Sequence, residues 1–179
     1  MSEFRFGLGH VTLDFLATLG GQPGSRIERL AAPGDLTRWI TEAGIAATPP
    51  ASPELLDDAR ELREAIRRIL VCAREGSRPA APDLRLVNKW ARSPVAAPQI
   101  GDDFTRVSAG SDPVTAALAH VARESVELVT GPGLAHIRTC AGCTLLFLDR
   151  SRPGTRRWCS MERCGNRSKT AHYRQKRRT

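Results

Sequence analysis

Four cysteines near the end of the chain, Cys140, Cys143, Cys159 and Cys164, constrain it more than any other feature, with the spacing C-x2-C-x15-C-x4-C. Thiolates three residues apart in a tight turn can take two corners of a tetrahedron, and a second close pair can close it. The intervening residues suit that return: Leu145 to Leu148 reads as a strand, Arg152-Pro153-Gly154-Thr155 as a turn, and Arg157-Trp158 as the returning strand. A module this small lacks a core sufficient to fold alone, so metal binding, on the order of 10 kcal/mol, supplies its stability. Four thiolates leave no open coordination position, and the expectation is one structural zinc ion rather than a catalytic one. Cys72, on the apolar side of a long helical segment, reads as a packed thiol. His136 and His172 read as neighbours of the metal site or as surface residues rather than ligands.

Clustered cysteines without an export signal point to a reducing compartment. Arg5, His10 and Asp14 interrupt the apolar positions of the first 30 residues, leaving no signal-peptide core, and no apolar run is long enough to cross a bilayer. The expected location is cytoplasmic, with no membrane partner. With 41% hydrophobic and 26% charged residues, the composition is that of a globular protein, so the charge distribution carries more information. From Arg138 onward there are 12 Lys or Arg against two acidic residues; the rest holds 15 basic and 17 acidic. A nearly neutral body with a basic end fits a sensor or scaffold attached to a polyanion binder.

The preceding residues read as mainly helical, a multi-helical unit with one possible small hairpin. Val11 to Leu19 is a short apolar helix ended by Gly20-Gly21, and Asp35 caps a helix presenting Leu36, Trp39, Ile40 and Ala43 before Gly44. After Ser52-Pro53, the residues Leu55, Ala59, Leu62, Ile66, Ile69 and Ala73 recur at helical spacing as far as Gly76. Pro82 to Ala91 turns Leu84, Val87 and Trp90 inward, and Gln99 to Ser108 permits a hairpin through Ile100, Phe104 and Val107. Asp112-Pro113 opens a last helix burying Val114, Leu118, Val121, Ser125 and Leu128. Gly131-Pro132-Gly133 breaks it and sets the expected division: a helical domain over 1–131 and a zinc finger with a basic C-terminal helix over 134–179.

The segment RRWCSMERCGNRSK, Arg156 to Lys169, closely resembles the CGNR zinc finger family, with Cys164-Gly165-Asn166-Arg167 as the naming tetrapeptide. Cys140-x2-Cys143 followed by Leu146-Phe147-Leu148-Asp149 fits the same pattern. The N-terminal part resembles the ABATE domain that usually precedes this finger, through Leu13-Asp14-Phe15, Thr18, Asp35-Leu36, Trp39-Ile40 and Leu62-Arg63-Glu64-Ala65. Together the resemblances cover nearly the whole chain, the finger motif being the more specific. They imply a bacterial transcription regulator with a link to stress, with zinc on the four cysteines. One departure is Ala17, where the family commonly has Asn; a ligand or buried hydrogen bond served by that amide is weakened or absent here.

The leading expectation is a zinc-dependent DNA-binding protein, the finger contacting DNA while the helical domain senses a ligand or forms a homodimer. Candidate nucleic-acid contacts are Arg150, Arg152, Arg156 and Arg157 before Cys159, then Arg163, Asn166, Arg167, Lys169, Tyr173, Arg174, Lys176, Arg177 and Arg178. Such cations neutralise phosphates and release counterions. Asn166, Arg167 and Gln175 can also read base edges, though Asn166 serves equally as a turn residue. An RNA-binding or protein-interaction module is an alternative, in which Trp158 and Tyr173 stack on bases. A small-molecule-binding helical domain is another, with His10, Asp14 and Trp39 as candidate pocket residues and the effector unidentified. No phosphate loop, nucleophile motif or catalytic metal spacing is found, so no enzyme activity is expected.

Overall fold

The computed structural model describes residues 3–22, 25–46, 49–94, 97–109 and 112–170. Among these the fold is mainly α. Its helices are α1 (Val11–Leu16), α2 (Pro33–Glu42), α3 (Pro53–Glu75), α4 (Ala81–Arg92) and α5 (Pro113–Thr130). Three antiparallel hairpins accompany them: β1 (Leu19–Gln22) with β2 (Ser25–Glu28), β3 (Ala97–Ile100) with β4 (Arg106–Ala109), and β5 (Ile137–Thr139) with β6 (Leu146–Leu148).

The long helix α3 packs against α1, α2, α4 and α5. Ser52 Oγ accepts the Leu55 N–H at 3.3 Å, and Gly76 closes the helix with φ 67°. Its buried face is broader than the stripe read from spacing, adding Leu56, Ala65 and Leu70, while Leu55 and Ala73 are only half-buried. Cys72 is half-buried too, rather than a core thiol. In α5, Asp112 accepts the Thr115 N–H at 2.7 Å, and Ala116, Ala117, Ala119 and Ala122 are buried beside the expected Val114, Leu118, Val121, Ser125 and Leu128. A helix buried on so much of its circumference occupies the interior of the bundle.

Several local expectations are corrected. α1 stops at Leu16, and Gly20-Gly21 lie within β1. The carbonyls that a longer helix would need are taken by arginines: Arg67 Nη2 donates to Leu16 O and Leu19 O at 2.6 and 3.1 Å, and Arg29 Nη1 to Ala17 O at 3.2 Å. Asp35 lies inside the first turn of α2, where Oδ2 accepts the Ala31 and Ala32 N–H groups at 3.1 and 3.0 Å. Leu84 faces outward at 39% exposure; Asp83 takes the inward position, held by Arg68 at 2.9 and 2.6 Å. The hairpin expected around Gln99–Ser108 is present as β3–β4, but Ile100 and Phe104 point to solvent.

After Gly131 a single 3₁₀ turn, Pro132–His136, leads into β5. The β5–β6 hairpin then packs back on the bundle. Leu148 N–H donates to Leu8 O at 2.7 Å, and Ile137, Leu145, Phe147 and Leu148 join the apolar cluster that includes Leu8, Leu13, Leu16 and Trp39. Gly9, at φ 93°, permits this approach, because a Cβ there would lie 2.9 Å from Leu148 Cβ. Phe147 is fully buried, so the cysteine-bearing region is seated on the helical core.

Candidate zinc centre and basic surface

The first cysteine pair sits at the tip of the β5–β6 hairpin. Cys140 N–H donates to Leu145 O at 2.9 Å and Thr144 N–H to Cys140 O at 3.1 Å, closing a tight loop. Thr144 adopts φ 62°, a left-handed conformation that costs a β-branched residue energy and is held by the surrounding bonds. Gly142 N–H points at Cys140 Sγ, 3.4 Å away. A side chain at Gly142 would place Cβ 3.2 Å from Cys164 Cβ, so the two cysteine pairs approach across a glycine.

The second pair is set by a widened turn, Met161–Gly165. Ser160 Oγ accepts the Arg163 N–H at 3.3 Å, and Ser160 O takes the N–H of both Cys164 and Gly165, at 3.0 and 3.1 Å. The i→i+5 bond to Gly165 makes the turn π-like, and a helix over 166–170 continues from it. This wider turn accommodates the four residues between Cys159 and Cys164. The expected strand at Arg157-Trp158 does not form. The partner of β6 is β5, with Ile137 opposite Leu148 and Thr139 opposite Leu146. Arg157 contributes one bond, its carbonyl accepting the Ala141 N–H at 3.1 Å. The chain turns over Ser151–Gly154, one residue earlier than expected, with Gly154 N–H on Ser151 O at 3.0 Å.

All four cysteines are buried, and their Sγ atoms lie within 4.8 Å of one another. Cys143 and Cys159 Sγ are 3.5 Å apart, and Cys159 and Cys164 Sγ 3.7 Å. Zinc–sulfur bonds of about 2.3 Å in a tetrahedron require sulfurs about 3.8 Å apart, so the cluster fits one structural Zn²⁺ held by Cys140, Cys143, Cys159 and Cys164. The crowded thiols cannot all ionise unaided. The hydrogen bond from Cys159 lowers the Cys143 thiol to about 5, while that same contact pushes Cys159 up and burial pushes Cys164 up to about 11. A divalent cation reverses this penalty by binding all four as thiolates. His136 is exposed and contributes only its carbonyl, to the Asp149 N–H at 2.9 Å; His172 lies outside the described residues.

Two braces support the shell. Asp149, nearly fully buried, accepts from Ser151 Oγ at 2.6 Å, Ser151 N–H at 2.9 Å and Arg156 N–H at 2.9 Å. The Ser151 hydroxyl is the main cause holding its carboxyl below the usual range. Arg156 lies over the Phe147 ring at 5.1 Å and donates to Trp158 O at 2.8 Å and to Cys159 O. Arg167 Nη2 donates to Gly142 O at 2.7 Å and approaches Cys164 Sγ at 3.6 Å, clasping both cysteine pairs. Outer bonds of this kind orient metal ligands.

The basic surface therefore divides. Arg156 and Arg167 are engaged within the finger, and Arg163 pairs with Glu3 at 2.5 Å. Arg150, Arg152 and Lys169 are exposed and have no hydrogen-bond or ion-pair partner among the described residues, and Arg157 lies over the Trp158 ring at 5.4 Å. Asn166 is exposed on the short helix, its carbonyl accepting from Thr170 Oγ1 at 2.9 Å. Tyr173, Arg174, Gln175, Lys176, Arg177 and Arg178 lie outside the described residues. Trp158 is half-buried and packs beneath Gly142.

The candidate pocket residues of the helical region do not converge. His10 caps α1, its Nδ1 accepting the Thr12 N–H at 3.3 Å while Nε2 faces Glu124 at 3.4 Å; burial lowers its pKa. Asp14 instead accepts the Leu8 N–H at 2.9 Å, and burial raises its carboxyl to about 6. Trp39 is a fully buried ring, 5.0 Å from Phe15 and 6.4 Å from Phe6. Ala17 is buried at the end of α1, with its carbonyl on Arg29. Sequence reasoning missed a buried latch: Arg63, 2% exposed, pairs with both oxygens of Glu28 at 2.7 and 2.6 Å and donates to Thr18 Oγ1 at 3.0 Å. The signal available was Arg63 within an otherwise apolar helix face.

No curated protein matches the chain. Two family models do. Residues 136–177 match the CGNR zinc finger. Residues 9–132 match ABATE, described as "Putative stress-induced transcription regulator". Neither is an enzyme family. The four-cysteine centre seated on a helical body, with both matches in this order, identifies the chain as a zinc-binding member of the ABATE family carrying a C-terminal CGNR zinc finger.

Proposed function

We propose that this protein is a cytoplasmic, zinc-dependent regulator of transcription that binds DNA through its finger, without enzymatic activity. The observation that carries the reading is the set of uncommitted cations, Arg150, Arg152 and Lys169 with Arg157 beside them, on a frame fixed by four cysteines. Cations held on a rigid frame lose little entropy on meeting phosphates, and their contribution is salt-sensitive. The remaining basic residues, Arg174 to Arg178, extend the same end of the chain. A single small finger provides limited specificity, so the helical region serves as the ligand-sensing or dimerising part that sets when and where it binds.

Duplex DNA is favoured over single-stranded RNA because Trp158, beside the zinc ligand Cys159, is packed beneath Gly142 rather than offered for stacking. Arg167 serves the finger's integrity, so its substitution is a poor test of contact. The informative variant is Arg150→Ala with Arg152→Ala, which leaves the zinc shell untouched. Mobility-shift titrations of the zinc-loaded chain should show duplex DNA bound more tightly than single-stranded RNA, and the double variant weakened on both. Unchanged DNA affinity in that variant would remove the proposed surface.

A further inference from the structure

Between the N-terminal segment, the β1–β2 hairpin and the finger lies a cavity of about 130 Å³. Arg5, Arg29, Arg163 and Arg167 line it together with Cys143, Cys159 and Cys164 of the zinc shell, and no carboxylate does, while Leu8, Ile27 and Leu145 supply apolar walls. The charges are unequally matched. A zinc ion with four thiolates carries a net charge of about −2, and Arg167 contacts one of those sulfurs while Arg163 is paired with Glu3. Arg5 has no hydrogen-bond or ion-pair partner among the described residues.

Arg29 is the more informative cation. It is 4% exposed and locked by carbonyls: Nε donates to Glu3 O at 2.9 Å, and Nη1 to Ala17 O, Gly20 O and Ile27 O at 3.2, 2.9 and 3.3 Å. Its Nη2 has no acceptor among the described residues. Carbonyl dipoles hold the cation in place, so a fixed guanidinium edge remains at the cavity with its donors unused. A dry cavity of about 150 Å³ accommodates benzene, so this one suits a ring or a short branched chain with its charged group at the arginines.

We propose that this seam binds a small organic carboxylate with a compact apolar body, the carboxylate meeting Arg29 Nη2 and Arg5 and the body resting on Ile27 and Leu145. Burial is the main cause that lowers the pKa of Arg29; Arg5 and Arg163 add to it, and Glu28 and Glu3 oppose it. Because the ligand touches both the β1–β2 hairpin and the finger, it strengthens their docking. The proposal rests on the ligand-sensing half of the functional reading and is independent of DNA binding.

Benzoate is the probe, with benzamide as its uncharged counterpart, titrated at constant ionic strength into the zinc-loaded full chain. Methyl resonances of Ile27 and Leu145 should shift saturably with benzoate, those of Leu70 should not, and benzamide should produce no saturable change. Arg5→Gln should weaken benzoate by about tenfold or more. Arg150→Ala with Arg152→Ala should bind benzoate as the parent does while losing affinity for duplex DNA, so failure of DNA binding leaves the benzoate result intact. Equal binding of benzoate and benzamide, an unchanged Arg5→Gln variant, or no saturation would overturn the proposal. Displacement of benzoate by random-sequence duplex in proportion to DNA occupancy would overturn it too, making the seam a seat for backbone phosphate.

Discussion

The helical region and the finger are both rich in arginine and are held together in different ways. In the helical region arginines serve as clamps on backbone carbonyls: Arg29 on Ala17, Gly20 and Ile27, Arg60 on Leu30 and Ala31, Arg123 on Ala91 and Ser93. The helices beneath are packed by Leu62, Ile66, Leu118 and Val121, all buried. In the finger the same residue type braces a metal shell, through Arg156 and Arg167, and the apolar contribution comes largely from β5–β6. That hairpin belongs to both: its tip carries two zinc ligands and its body fills the helical core. A bound metal and a shared core therefore stabilise successive stretches of one short segment.

The largest expected effect separates these two sources. Removing zinc with a chelator, or replacing Cys159 by Ser, withdraws metal stabilisation on the order of 10 kcal/mol. Amides over 158–170 should then exchange freely, while Phe147 and Leu148 keep protection through the core and Leu8. Loss of protection throughout the helices in the same step would show that the two regions are not separable. Phe147→Ala attacks the shared core instead and should cost about 3–5 kcal/mol, read as a lower urea midpoint for the helical transition. An effect confined to zinc affinity would break that side of the comparison.

Smaller effects sharpen it. Arg156→Ala removes the ties to Trp158 O and Cys159 O, and should weaken zinc by about 10- to 100-fold with little change in helical stability. A chelator competition on the purified variant measures it. Asp14→Asn tests the helical side through pH. The Asp14 carboxyl is raised from 3.8 to about 6, so the folded state holds its proton more tightly than the unfolded chain. Its contribution is complete below about pH 4 and is lost as pH rises through 6. After allowance for solvent screening this is on the order of 1 kcal/mol. Asn keeps an acceptor for the Leu8 N–H and has no charge, so the variant should gain on the parent between pH 4 and 6 in thermal melts. A constant difference across that range would contradict the assignment.

Much of this architecture was legible in the chain. The caps at Ser52 and Asp112, the terminating Gly76 and the apolar spacing of α3 and α5 are local signals, and the structure uses each. The zinc ligands were legible because spacing itself encodes a tetrahedral shell. Strand pairing was not. Leu146–Leu148 was recognisable as a strand, but its partner Ile137–Thr139 precedes the first cysteine and is only three residues long. The β1–β2 hairpin was hidden because Gly20-Gly21 read as a helix stop. Sequence also cannot separate a cation fixed on carbonyls from one facing solvent: Arg150 and Arg156 look alike in the chain and have opposite roles in the fold.

On the proposed reading, zinc fixes a phosphate-binding surface on this finger. This is tested most directly by titrating the zinc-loaded chain with random-sequence duplex DNA across a salt series, beside Arg150→Ala with Arg152→Ala. Log affinity should fall linearly with log salt at about −0.9 per phosphate contacted. The double variant should show a slope shallower by about 1.8, and chelation should abolish binding. Absence of binding at low salt by a chain carrying one zinc would contradict the claim and make the finger a folding or protein-contact element.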